Sequence, residues 1–323
     1  HLCGVVGPDE YHTGYPGRDK PGLDDNAYTN VMAAGVCSQA VGITSFLHGS
    51  ERAGLMERLG VTDEETAGWA HMASAMYVPF HSDGVISQFE GYGDLKELDW
   101  EHYRDEYGDI ERLDLILEAE NDATNCYKLA KQADVLMLPY LLGHEGLVTI
   151  LQRLHYGFSQ EQLNRTIEYY LARTAHGSTL SRVAHASVLA GLDADRAWDS
   201  FREALDADLD DTQHGTTRAG IHLGAMGGTI DVVQRSFAGL RFSGETIVFA
   251  PNLPTGLRAV AFEVLYRGHR LRVHLKDGRM SIASAPGDAG PIKVHVYGTD
   301  VVLPPGRTRH FPMPARAPGL AAS

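Results

Sequence analysis

The chain has 323 residues, 43% hydrophobic and 22% charged, which is enough to bury a large core and is globular rather than disordered composition. Its 42 acidic and 28 basic residues leave a net charge of −14, which argues against nucleic acid or an anionic membrane as a partner. Cys3, Cys37 and Cys126 are odd in number and widely spaced, which suggests neither a disulfide framework nor a zinc site and predicts buried apolar cysteines of a reducing compartment.

The first chemistry-bearing stretch is Gly7-Pro8-Asp9-Glu10-Tyr11-His12, two carboxylates and a histidine between a turn-forming pair and an aromatic residue. A carboxyl group in such a place can be held protonated as a general acid, although a solvated Asp-Glu pair is the plainer local reading. Residues 15 to 22 are rich in turn formers, and Asp24-Asp25-Asn26 can cap a helix over residues 27 to 46, whose small residues suit close helix packing. A second helix is predicted over residues 63 to 77, with Asp63 and Glu64 where the helix dipole favours negative charge.

Residues 78 to 100 are irregular and aromatic-bearing. They read either as a site-building loop or, more plainly, as a structured connector with a buried aromatic plug. Residues 126 to 142 predict a helix apolar nearly all round and therefore buried, so that Lys131 and Gln132 at its start need partners or a cavity. Helices are expected over 145 to 154, 159 to 172, 180 to 190, 194 to 207 and 220 to 237. Helix following helix for so long argues for an all-α toroid or solenoid, and the absence of a fixed-length repeat disfavours the solenoid.

Near Gly239 the pattern changes to short β-branched runs, at 246 to 249, 260 to 264, 271 to 275 and 292 to 296, separated by Gly and Pro turns. These predict a small antiparallel sandwich, with residues 314 to 323 as a loose tail and a domain boundary near residue 240.

Two further stretches carry chemistry. His176-Gly177-Ser178-Thr179-Leu180-Ser181 offers hydroxyls and backbone N–H groups at a helix entry, the composition of an anion cradle and also of an ordinary N-cap. In Gly220-Ile221-His222-Leu223, His222 among apolar neighbours reads as a core histidine or as a ligand contact.

Taken in order, residues 7 to 12, Asp25-Asn26-Ala27-Tyr28-Thr29-Asn30, Lys131-Gln132-Ala133-Asp134-Val135-Leu136, residues 176 to 181 and residues 220 to 223 strongly resemble glycoside hydrolase family 65. Most members of that family are inverting disaccharide phosphorylases acting on maltose, trehalose, kojibiose and related α-glucosides, and some are hydrolases. The resemblance implies a mainly α chain, a partial (α/α)6 barrel over residues 1–240 and a C-terminal β-sandwich over 241–323. It also implies that an N-terminal β-sandwich, a linker and the first barrel helices stand before residue 1. His1 in place of Met points the same way.

By the same resemblance Glu10 matches the general acid, Lys131 and Gln132 match residues that hold the glucosyl unit, and Ser178, Thr179 and His222 match the phosphate-binding residues. Thr179 stands where the family often has Ser and keeps the hydroxyl. The expected ligands are an α-linked disaccharide and inorganic phosphate as co-substrate, with no metal or organic cofactor, and a homodimer is the default assembly. Because Ser178, Thr179 and His222 bring no carboxylate among them, phosphorolysis is favoured over hydrolysis. Hydrolysis remains open if Glu90, Asp210 or Asp211 activates water, as does a catalytically silent carbohydrate-binding module. No uninterrupted apolar run reaches membrane-spanning length and no signal-peptide pattern opens the chain, so a cytoplasmic protein is expected.

Overall fold

A computed structural model describes residues 1–212 and 215–313, and the tail expected over 314–323 lies outside the described residues. By its contacts the chain divides into two compact units, His1–Ser181 and Arg182–Ser323.

The first unit opens with an irregular segment that crosses itself by short bridges, such as Val5 with Leu23. Helix α1 (Ala27–Phe46) follows, its N-terminus closed by Asn26, whose Oδ1 accepts the Thr29 N–H at 2.9 Å. Helices α2 (Gly49–Leu59) and α3 (Asp63–Ala75) come next, α3 capped by Thr62 with Asp63, Glu64 and Glu65 in its first turn. After the connector, α4 (Trp100–Tyr107) and α5 (Leu113–Ala119) bury Tyr103, Leu113 and Leu117 with Tyr11 and Leu129. Helix α6 (Asp134–Arg153) packs against α1, and α7 (Gln160–Leu171), with a Ser159–Gln162 capping box, packs against α6. Helix α8 (Thr179–Leu189) contains the division between the units.

The helix expected over residues 126 to 142 begins only at Asp134. Before it, the Ala130 N–H donates to the Arg173 carbonyl at 2.8 Å and Ala130 accepts from the Ala175 N–H at 2.9 Å, so this backbone pairs with a distant segment rather than coiling. Helix α6 also absorbs the piece expected over 145 to 154, across Gly143 (φ 67°, ψ 167°). On length and hydropathy alone it resembles a membrane-crossing helix, but Gly143 breaks it into two pieces, each too short to cross a bilayer. The cysteines are free, with Cys3 exposed and Cys37 and Cys126 half-buried, and so are not the buried residues their spacing suggested.

The connector is a plug. Val85, Ile86, Ser87, Gln88, Phe89 and Tyr92 are buried, and Phe89 meets the edge of Tyr92 at 5.3 Å and a tilted His12 at 5.2 Å.

In the second unit α9 (Ala194–Asp206) packs against α10 (Leu223–Asp231), which runs on into a π-helical turn, Val232–Phe237. Among the described residues eight strands follow: β1 (Arg241–Ser243), β2 (Thr246–Phe249), β3 (Ala259–Tyr266), β4 (His269–Lys276), β5 (Arg279–Ser284), β6 (Ile292–Val296), β7 (Thr299–Leu303) and β8 (Thr308–Pro312). They form two four-stranded sheets, ordered β1-β2-β6-β7 and β3-β4-β5-β8. Pairing is antiparallel except between β2 and β6, where the long excursion through the other sheet brings the chain back in the same direction. Alternation aims Leu271, Val273 and Leu275 of β4 at Ile247, Phe249, Val294 and Leu303 of the opposite sheet, in one sandwich core.

Candidate active site

The opening motif is fixed by Asp9, which is only 1% exposed. Its Oδ1 accepts the backbone N–H of Lys131 at 2.6 Å and of Gln132 at 3.3 Å, while Oδ2 accepts Nε2 of Gln88 at 3.0 Å and lies 2.8 Å from Nδ1 of His12. A buried carboxylate needs such donors, and here they come from three separated parts of the chain. His12 Nε2 faces the Tyr127 carbonyl at 3.0 Å, and since a carbonyl only accepts, that nitrogen carries a proton.

The backbone of the motif is held from the other side. Asp9 donates its N–H to Oδ1 of Asp134 at 2.6 Å, and Oδ2 of Asp134 accepts the Asn26 amide at 2.7 Å. Burial, and then the neighbouring Asp9 carboxylate, push the Asp134 carboxyl well above the usual range. Gly7 passes so close to this pair that a Cβ there would strike the Asp134 carboxylate and the Asn26 amide.

Glu10 follows Asp9 in left-handed backbone, φ 66°, which few non-glycine residues adopt. Its side chain is 68% exposed and its Oε2 lies 2.5 Å from Nζ of Lys131. One carboxylate is thus buried as scaffold, and the next is presented outward on a constrained backbone. Gln132 donates Nε2 to the Pro8 carbonyl at 3.0 Å, and its buried Oε1 meets no donor among the described residues.

The parallel bridge between Ala130 and Thr174 lays the segment leading to Ser178 beside the one carrying Lys131. Gly177 lies in close contact with Cγ of Lys131, the Tyr11 hydroxyl and the Glu111 carbonyl, so a Cβ there would crowd all three. Ser178 Oγ accepts the Leu180 N–H at 3.3 Å, and Thr179, the first residue of α8, is 8% exposed. Ser181 donates its hydroxyl to the Ser178 carbonyl at 2.8 Å, so His176 Nδ1, also 2.8 Å from Ser181 Oγ, is the donor in that contact. Of the residues singled out in the sequence, Glu10, Lys131 and Gln132 are gathered on Asp9, and the Gly177–Thr179 stretch packs against Lys131.

His222 belongs to the second unit. Asp208 accepts its backbone N–H at 2.8 Å and lies 2.6 Å from its Nδ1, and Thr216 Oγ1 is 3.3 Å from Nε2. The hydrogen bond from His222 holds the Asp208 carboxyl below its ordinary range. Asp208 thus stands directly behind His222, a carboxylate that the sequence did not point to. Of the alternative bases, Glu90, Asp210 and Asp211 are all exposed; Glu90 accepts the Tyr77 hydroxyl at 3.1 Å and Asp211 the Thr217 N–H at 3.3 Å.

The sequence points to no role in the site for Asp134, Gln88 or Asp208, and to Asn26 only as a helix cap. Asn26 and Asp134 do sit inside two of the recognised motifs, which was the available signal. Gln88 and Asp208 had none.

The profile described as "Glycosyl hydrolase family 65 central catalytic domain" matches residues 1–231, and the one described as the family's C-terminal domain matches residues 240–303. The chain belongs to glycosyl hydrolase family 65. An uncharacterized glycosyl hydrolase of Mycobacterium tuberculosis (strain H37Rv) is 48% identical over 92% of this chain, which corresponds to 22% of that protein. The trehalose 6-phosphate phosphorylase of Lactococcus lactis is 36% identical over 96% of this chain and 38% of its own length. This family 65 chain thus spans well under half of the relatives it matches. A solved structure described as a putative kojibiose phosphorylase from human microbiome superposes with a TM-score of 0.76 at 22% identity, covering 97% of this chain and 42% of the other. The fold is that of a partial (α/α)6 barrel followed by a β-sandwich.

Proposed function

We propose that this family 65 chain carries the proton donor and sugar-holding residues of an inverting phosphorylase that cleaves an α-linked glucosyl disaccharide to β-glucose 1-phosphate. The observation that carries the reading is Glu10, an exposed carboxylate on constrained backbone, paired with Lys131 beside the Gly177–Thr179 stretch. In an inverting reaction an acid protonates the departing glycosidic oxygen while a nucleophile attacks the anomeric carbon from the opposite face. Glu10 is that acid. Lys131 and Gln132 hold hydroxyls of the glucosyl unit by the family resemblance, and the Lys131 ammonium lies 2.5 Å from the Glu10 carboxylate.

Phosphate arrives already anionic and needs positioning rather than a base. The hydroxyls of Ser178 and Thr179 supply that positioning, and His222 is assigned to the same ligand on the family resemblance alone. Inorganic phosphate is the co-substrate and the reaction as written calls on no cofactor. Trehalose 6-phosphate is the first substrate to try, because the relative named for it is 36% identical across nearly the whole chain.

The test is glucose 1-phosphate release from trehalose 6-phosphate, trehalose, kojibiose and maltose, with and without phosphate. Turnover of at least one sugar only when phosphate is present is the expected result. Equal glucose release without phosphate would establish the hydrolase instead.

A further inference from the structure

We propose, resting on the reading of Glu10 as proton donor, that Asp134 is a positioning residue for it and that the buried Asp134–Asn26 pair sets where Glu10 stands. Asp134 is 1% exposed and Asn26 0%, so neither offers a surface to a sugar. A carboxylate at the first residue of a helix ordinarily serves its own helix N–H groups or the dipole. Asp134 instead gives Oδ1 to the Asp9 N–H, 125 residues earlier, and Oδ2 to the Asn26 amide. The helix entry thereby becomes a clamp on the residue preceding Glu10.

Asp9 is held by two independent sets of bonds. Its carboxylate is gripped by Lys131 N–H, Gln132 N–H, Gln88 and His12, and its backbone N–H by Asp134. Withdrawing the Asp134 acceptor releases the Pro8–Asp9 peptide, and with it the left-handed backbone of Glu10, while Lys131 and Gln132 stay fixed to the Asp9 side chain. Proton donation should suffer and sugar binding should not. Asparagine at 134 has one acceptor oxygen for two donors, so it must turn its NH2 toward either Asp9 N–H or the Asn26 NH2. Aspartate at 26 would accept that NH2 and still cap α1.

The experiment is steady-state phosphorolysis by the protein at its natural length. Asp134→Asn should lower kcat about 100-fold, the loss a misplacement of about 1 Å produces, with KM within about threefold of wild type. The double variant Asp134→Asn/Asn26→Asp should regain most of that kcat. A single variant whose folded fraction keeps wild-type kcat overturns the proposal, as does a double variant that recovers thermal stability without recovering kcat. Should Asp134→Asn fail to fold, Asn26→Ser keeps the helix cap while removing the amide. It should show a smaller fall in kcat at constant KM, and an unchanged kcat there is equally contrary. If the wild-type protein shows no phosphate-dependent turnover, the proposed function fails and a crystal structure of Asp134→Asn decides this point alone. Glu10 leaving left-handed backbone supports the clamp, and an unmoved Glu10–Lys131 pair refutes it.

Discussion

Asp9 and Glu10 are neighbours with opposite fates, and the difference lies in what each carboxylate meets. Asp9 is surrounded by donors and buried; Glu10 is turned outward by a positive φ and meets a single ammonium group. Glu10→Gln removes the proton while keeping shape, so kcat should fall by roughly 100- to 10,000-fold while sugar affinity, measured by calorimetry, stays near wild type. Gly7→Ala tests the scaffold beneath it. The added Cβ collides with the Asp134 carboxylate and the Asn26 amide, and overpacking of that kind costs about 1–3 kcal/mol, readable as a lowered denaturant midpoint. At this scale the sequence exposed Glu10 through its motif but not the reason for its geometry. The Asp134 contact spans 125 residues, and the Asp208–His222 contact 14 residues with no periodic signal between them.

At the scale of elements, local signals were strong where burial and period agree. Helix α1 begins and ends where its Asn26 cap and small-residue interior predict, and the core strands β4 and β6 follow their alternation of apolar and polar residues. They failed where tertiary bonds outbid helix propensity. Residues 126 to 133 have helical composition, yet the backbone N–H groups of Ala130, Lys131 and Gln132 are taken by Arg173 and Asp9.

Helix α8 yields a pH prediction. Burial, with Arg182 adding to it, lowers His185 to about 3, so it stays neutral in the fold while the unfolded chain binds a proton near its ordinary value. A base with a depressed folded pKa destabilises the fold as pH falls. Unfolding free energy should therefore be highest above about pH 6.5 and drop by about 1.4 kcal/mol per pH unit from there toward about pH 3. Denaturant titrations at pH 7, 6 and 5 should show that slope, and His185→Gln should flatten it.

Asp208 acts in the same direction over a lower pH range. Its carboxyl is held down by His222, so its contribution is present above the ordinary aspartate value of about 3.9 and lost as pH falls through the lower folded value. The midpoint difference between wild type and Asp208→Asn should accordingly persist from pH 7 to 5 and shrink below about pH 4.

For the whole molecule, membership of glycosyl hydrolase family 65 and a fold of barrel helices followed by a sandwich account for the order of the motifs along the chain. A site gathered on Asp9 from residues 7–12, 88 and 131–132 requires these separated parts of the first unit to be folded before Glu10 can be presented. The central claim, that Glu10 donates a proton while phosphate attacks from the opposite face, is tested most directly by proton and phosphorus NMR of the first turnovers on the best substrate. The account predicts β-glucose 1-phosphate as the initial product, formed only with phosphate present and abolished in Glu10→Gln. Initial α-glucose 1-phosphate, free glucose at an equal rate without phosphate, or an active Glu10→Gln variant would contradict it.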